Sequence, residues 1–196
     1  NRMGFSFTTA LNQPAIREAI ERAVAGARYT ADDEYNGLPE AVKGYPEMAT
    51  YDEDMEKTEL ETKVEMARQV EAEARRYDKR IKVVESSGYE ESRYSLAVVN
   101  SRGTEAFQRG AYCGLYISLM AEENEQVQTG FAVEARRHIK DLDPARVGTE
   151  GAHNAIRLLG AKSAPSRPLP CVLEPYVMTS FLRVLSNSLS ADSVQK

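Results

Sequence analysis

Halfway along this chain the spacing of the apolar residues changes. Across 58–77 they recur at helical intervals, with Leu60, Val64, Ala67, Val70 and Ala74 on one side. From residue 81 they recur at every second position, which is the period of strands. Four strands are predicted there, at 81–87, 94–100, 106–121 and 126–136. Asn100-Ser101-Arg102-Gly103 and the polar stretch 122–125 supply tight turns between them. In the third strand Cys113, Leu115, Ile117 and Leu119 share a face. In the fourth, Val127, Thr129, Phe131, Val133 and Ala135 oppose Gln126, Gln128, Glu134 and Arg136, so the first set is expected to face the core. Alternation of this kind describes an antiparallel β-meander with one buried face.

Helices flank the meander. Thr58 and Glu61 have the spacing of a capping box, and Arg75-Arg76 suits a helix C-terminus. A helix over 12–28 is led by Pro14, with Ile16, Ile20, Ala23, Val24 and Ala27 on one side. Another runs from Asp143-Pro144 to about Leu159 and stops at Gly160, its stripe being Ala152, Ala155, Ile156 and Leu159. Residues 4–9 read as a short strand. Residues 29–57 are acidic and punctuated by Gly37, Pro39, Gly44 and Pro46, and read as an extended, solvated surface loop. A Pro/Ser linker at 163–170 leads to a short buried strand at 169–173. Glu174-Pro175 ends it, and an amphipathic helix follows at 176–189. Strands grouped together with helices at either end predict an α+β fold. The domain division expected is 1–164, then 165–196 as linker, strand and helix opening a further domain.

Several chemistries find no support. With 42% hydrophobic and 28% charged residues the composition is that of an ordinary globular domain, and no apolar run reaches membrane-spanning length. A net charge of −5 argues against a duplex-binding surface. His138 and His153 are not at HExxH spacing, and no nucleophile elbow, P-loop or G-x-G-x-x-G is present. The acidic loop lacks the alternating ligands of a calcium loop. Arg75, Arg76, Arg80, Arg136 and Arg137 read as charges at element ends. Cys113 and Cys171 sit in apolar runs and are expected as buried free thiols, which suits a cytoplasmic protein.

In order and spacing the chain resembles the TldD/PmbA family, on its PmbA (TldE) branch. The resemblance rests on Gly4-Phe5-Ser6-Phe7-Thr8-Thr9 before the Pro14 helix, Tyr51-Asp52 before the helix from Thr58, and Asn100-Ser101-Arg102-Gly103. Gly130-Phe131 with Ala135-Arg136-Arg137, Leu142-Asp143-Pro144 and Val172-Leu173-Glu174-Pro175 complete it. Metal-binding members of this family carry HExxxH on the strand–Pro–helix unit. Aligned on Val172-Leu173-Glu174-Pro175, its His positions fall on Arg183 and Ser188 and its Glu on Val184. The resemblance therefore implies a metal-free subunit of a heteromeric cytoplasmic metallopeptidase acting on peptides. It implies no catalytic, cofactor or metal residue in this chain, with zinc expected only in a TldD-like partner. Partners implied are that subunit or a second copy, and a peptide substrate, without nucleic acid or membrane. Family members are over twice as long, so the chain is expected to be part of a longer protein. Arg183 has two readings: an exposed helical arginine, or a residue facing the substrate cavity and contacting a peptide carboxylate or carbonyl. Two alternatives stay open. One is a regulatory or binding protein acting on gyrase or a toxin–antitoxin component. The other is an independent metalloenzyme with ligands beyond residue 196.

Overall fold

The computed structural model describes residues 1–42 and 44–194. They divide into two compact units, Asn1–Leu159 and Gly160–Lys196.

The first unit is built on a three-stranded antiparallel sheet in the order β1 (Ile81–Val99), β2 (Glu105–Glu123), β3 (Gln126–Arg136). With its helices this is an α+β fold. Three strands stand where four were expected, because 81–87 and 94–100 belong to one 19-residue strand. Within it Gly88 pairs with Tyr116, and a Cβ on it would lie 2.5 Å from the Tyr116 hydroxyl. It is a seat for that ring, as strand glycines often are.

Helix α1 (Gln13–Ala27) is capped by Asn12, whose Oδ1 accepts from the Ala15 N–H at 3.0 Å. Residues 4–9 form no strand. They lie against α1 with Ala23 O only 1.8 Å from where a Gly4 Cβ would be, and no described strand pairs with them. The irregular stretch that follows ends earlier than expected, at Asp52, which caps a short helix α2 (Glu53–Lys57). The Thr58 hydroxyl donates to the Asp54 carbonyl at 2.7 Å and closes α2, so the expected capping box does not form. Glu59 precedes α3 (Leu60–Tyr77) without a side-chain cap bond. Helix α4 (Pro144–Ile156) is capped by Asp143, and the chain turns through 157–159 into Gly160 at φ 77°.

The core is the inner face of β2: Ala111, Cys113, Leu115, Ile117, Leu119 and Ala121. Val70 and Ala74 of α3 and Val147, Ala152 and Ala155 of α4 cover it, with Met55 and Ile139 at one end. β3 turns the opposite face inward from the one its apolar residues predict. Gly130, Ala132 and Glu134 are buried, while Val127, Phe131 and Val133 are exposed. The cause is α4. A Cβ on Gly130 would meet Gly151 O at 2.2 Å and Ala155 N at 2.7 Å, so only small residues fit beneath that helix.

In the second unit, 169–173 form no strand and Val172 is 97% exposed. No described strand pairs with them. Cys171 is exposed, which corrects the expectation for that thiol; Cys113 is buried as expected. Helix α5 (Pro175–Ser188) buries none of its residues, and a short α6 (Ala191–Val194) follows. No helix among the described residues is long and apolar enough to cross a membrane.

Candidate functional site

Helix α5 carries the three positions singled out by the sequence. Arg183, Val184 and Ser188 are all exposed, and the Ser186 hydroxyl donates to the Arg183 carbonyl at 2.9 Å. A guanidinium, an isopropyl group and a hydroxyl offer none of the imidazole, thiolate or carboxylate donors that hold zinc. Among the described residues no three His, Cys, Asp or Glu side chains converge as a metal set. The histidines stand apart. His138 Nδ1 is 3.8 Å from Asp52, and His153 Nδ1 is 3.1 Å from the Tyr77 hydroxyl.

Buried polar groups in the first unit are committed to architecture. Asp52, expected on a solvated loop, is buried. Its carboxylate accepts from the Asp54 N–H at 3.1 Å and the Ile139 N–H at 2.9 Å. Burial pushes its pKa up, but those two bonds and the nearby His138 outweigh burial and hold it below the ordinary carboxylate value. Lys63 Nζ donates to Glu91 at 2.7 Å and to the Met55 carbonyl at 2.8 Å, while the Tyr89 hydroxyl donates to Glu91 at 2.8 Å. Burial beneath this cluster pushes the Cys113 thiol up to about 11, so it stays protonated near neutrality and is no nucleophile. Glu134 accepts from the Asp143 N–H and pairs with Arg136 and Arg146. Arg75, Arg76 and Arg80 are likewise paired, with Glu71, with Glu73, and with Asp78 and Glu123.

A groove of about 680 Å³ lies at the distal end of the β1–β2 hairpin. One wall is the segment 45–51, with Tyr45, Met48 and Tyr51. The other is the hairpin itself, with Leu96, Phe107 and Arg109. The Arg109 guanidinium stacks 3.7 Å from the Tyr51 ring centre, and the Tyr51 hydroxyl donates to Glu56 at 2.6 Å. The groove exists because β3 is short. Its last paired residue, Arg136, lies opposite Cys113, and from there back to Glu105 β2 has a strand partner on its β1 side only. The sequence reading missed this site. Its only trace was the Tyr51-Asp52 pair, since contact between Tyr51 and Arg109 depends on how 45–51 returns to the sheet.

A family model described as the PmbA/TldA metallopeptidase central domain matches residues 53–159, which hold α2, α3, the whole sheet and α4. The metalloprotease PmbA of Escherichia coli is 26% identical over 208 residues, taking in 100% of this chain and 44% of that protein. A protein from Bacteroides thetaiotaomicron described as a modulator of DNA gyrase superposes with a TM-score of 0.72 at 26% identity, over 83% of this chain and 38% of that one. TldE from Thermococcus kodakarensis gives 0.67 at 25%, over 79% and 35%. The chain thus spans less than half the length of these relatives. Its sheet, its core and both helices that cover the core fall within the family's central domain, and the chain belongs to the PmbA/TldD family.

Proposed function

We propose that this chain belongs to a metal-free, non-catalytic subunit of a TldD-type metallopeptidase complex acting on peptides or unfolded segments. The observation that carries this reading is the chemistry of Arg183, Val184 and Ser188 on α5. A guanidinium at a ligand position repels a cation, and valine cannot act as the general base that hydrolysis at zinc requires. The likeness to a protein named TldE supports the same branch. The subunit would shape the substrate chamber while a TldD-like partner holds zinc.

The test is peptide hydrolysis by the full-length protein, alone and mixed with an HExxxH-bearing paralogue, with and without a chelator. Chelator-sensitive turnover only in the mixture is the expected result. Turnover by the protein alone would refute the assignment. A second reading, a binding protein without hydrolytic role, draws on the relatives described as modulators of DNA gyrase. Silence of both samples would favour it.

A further inference from the structure

Helices α3 and α4 cover one face of the sheet. The opposite, outer face is levelled by glycine. A Cβ on Gly110 would lie 2.2 Å from Tyr94 Cζ, one on Gly88 2.5 Å from the Tyr116 hydroxyl, and one on Gly114 3.4 Å from Glu90 Oε1. Each of these side chains therefore lies across the neighbouring strand, on a residue that has none. Tyr112 stands on the same face between Gly110 and Gly114, and Tyr94 and Tyr112 are 49% and 48% exposed. Rings laid down in this way turn their π faces outward.

The charge on this face has one sign. Glu90, seated on Gly114, lies between Tyr112 and Tyr116, two residues or roughly 7 Å of strand from either. Among the described residues none forms a hydrogen bond or ion pair with its carboxylate. A second carboxylate, Glu85, accepts from the outward Ser118 hydroxyl at 2.7 Å. From the row Leu96–Gln108 to the row Ser86–Ser118–Phe131 no outward position holds lysine or arginine; Lys82 and Arg137 fall outside these rows. Arg93 and Arg109 belong to the inner face, in register with the buried Ala111 and its neighbour Ser95. A carboxylate flanked by open aromatic faces, with no cation beside it, is the chemistry that receives a cation. Flat rings favour a planar guanidinium over an ammonium, and a free carboxylate can take it through two hydrogen bonds.

We propose that the outer face of the sheet binds an arginine-bearing segment of another polypeptide, one guanidinium stacking on Tyr112 or Tyr116 and pairing with Glu90. Gly114 and Ser118, which carry the two carboxylates, are four residues apart, roughly 13 Å of strand. Two arginines four residues apart in an extended segment match that span. The inference goes beyond the metallopeptidase reading and does not rest on it.

The experiment titrates the full-length protein into a fluorescent peptide, Gly-Arg-Ser-Gly-Ser-Arg-Gly, acetylated and amidated, at low ionic strength, and reads anisotropy. Saturable binding is expected. The peptide with citrulline in place of both arginines should bind at least about ten-fold more weakly, since it keeps the shape and loses the charge. The lysine counterpart should bind several-fold more weakly than the arginine peptide. Glu90→Gln keeps the side chain's size and should weaken arginine-peptide binding about ten-fold. Tyr112→Leu keeps an apolar side chain without a π face and should weaken it roughly three-fold. Both positions are exposed, so unchanged urea midpoints should accompany both losses. Absence of saturable binding, equal binding of the citrulline or lysine peptide, or undiminished binding by Glu90→Gln would overturn the proposal. None of these measurements uses hydrolysis, so the metallopeptidase reading stands or falls separately.

Discussion

Asp52 ties three pieces of chain together. It caps α2, receives the buried N–H of Ile139, and stands at the end of the segment that walls the groove. Asp52→Ala removes a cap and leaves a buried donor unpaired, so a loss of about 2–3 kcal/mol is expected in urea unfolding. A loss below about 0.5 kcal/mol would show that water replaces the carboxylate. The same group shapes the acid limit. Asp52, Glu91 and Asp78 are all held below their ordinary values, Asp78 at about 2 through its bonds with Arg80. Groups of this kind stabilise the fold fully above their unfolded pKa, near 4, and the contribution is lost as pH falls through the folded values. Urea midpoints should therefore be flat from pH 7 to 5 and drop steadily from pH 4 to 3. Asp52→Asn should show a shallower drop, and an identical slope would remove Asp52 from the account. Arg183 belongs to this scale too. In the assembled complex Arg183→Ala should weaken peptide affinity by about ten-fold if its guanidinium meets a carboxylate or carbonyl. Unchanged turnover and affinity would leave it an exposed helical arginine.

Among the elements, α4 decides how the sheet is dressed. A Cβ on Gly148 would lie 2.3 Å from Val70 O, and one on Gly130 would lie 2.2 Å from Gly151 O. Both clashes are with backbone, so Gly148→Ala and Gly130→Ala must push α4 away from α3 or β3. Each should cost about 1–3 kcal/mol. Gly88→Ala meets only the Tyr116 ring, which can swing outward, and should cost less than either. Equal losses at the three sites would mean that helix–sheet distance is not the constraint. This contact also explains what the sequence did and did not reveal. Alternation in β2 identified its buried face correctly, because that strand lies centrally and both helices cover it. The same rule failed in β3, where period two defines two faces and only the approach of α4 says which is inside. The apolar Phe131 and Val133 went outward, and Glu134 went inward to Arg146 and the Asp143 N–H. Thr58 failed for a similar reason: its hydroxyl had two possible helices to serve, and α2 was hidden in an acidic stretch.

At the scale of the whole chain, family-like motif order was legible over most of the length, yet the groove was not. It arises from a mismatch in strand length and from a contact between Tyr51 and Arg109, neither of which leaves a periodic signal. The division at Leu159 has a physical basis that can be tested. The core cluster and the side chains packed against it all come from residues 51–159, and no residue described after Leu159 is buried. Removal of residues 160–196 therefore takes away a helix with an exposed apolar face but no core side chain. Hydrophobic burial is the main source of folding free energy, so a chain ending at Leu159 should unfold in one cooperative urea transition. Its stability should lie within about 1 kcal/mol of the longer chain, with the slope reduced only by the surface no longer present. Loss of cooperativity, or a drop of several kcal/mol, would mean that α5 stabilises the first unit.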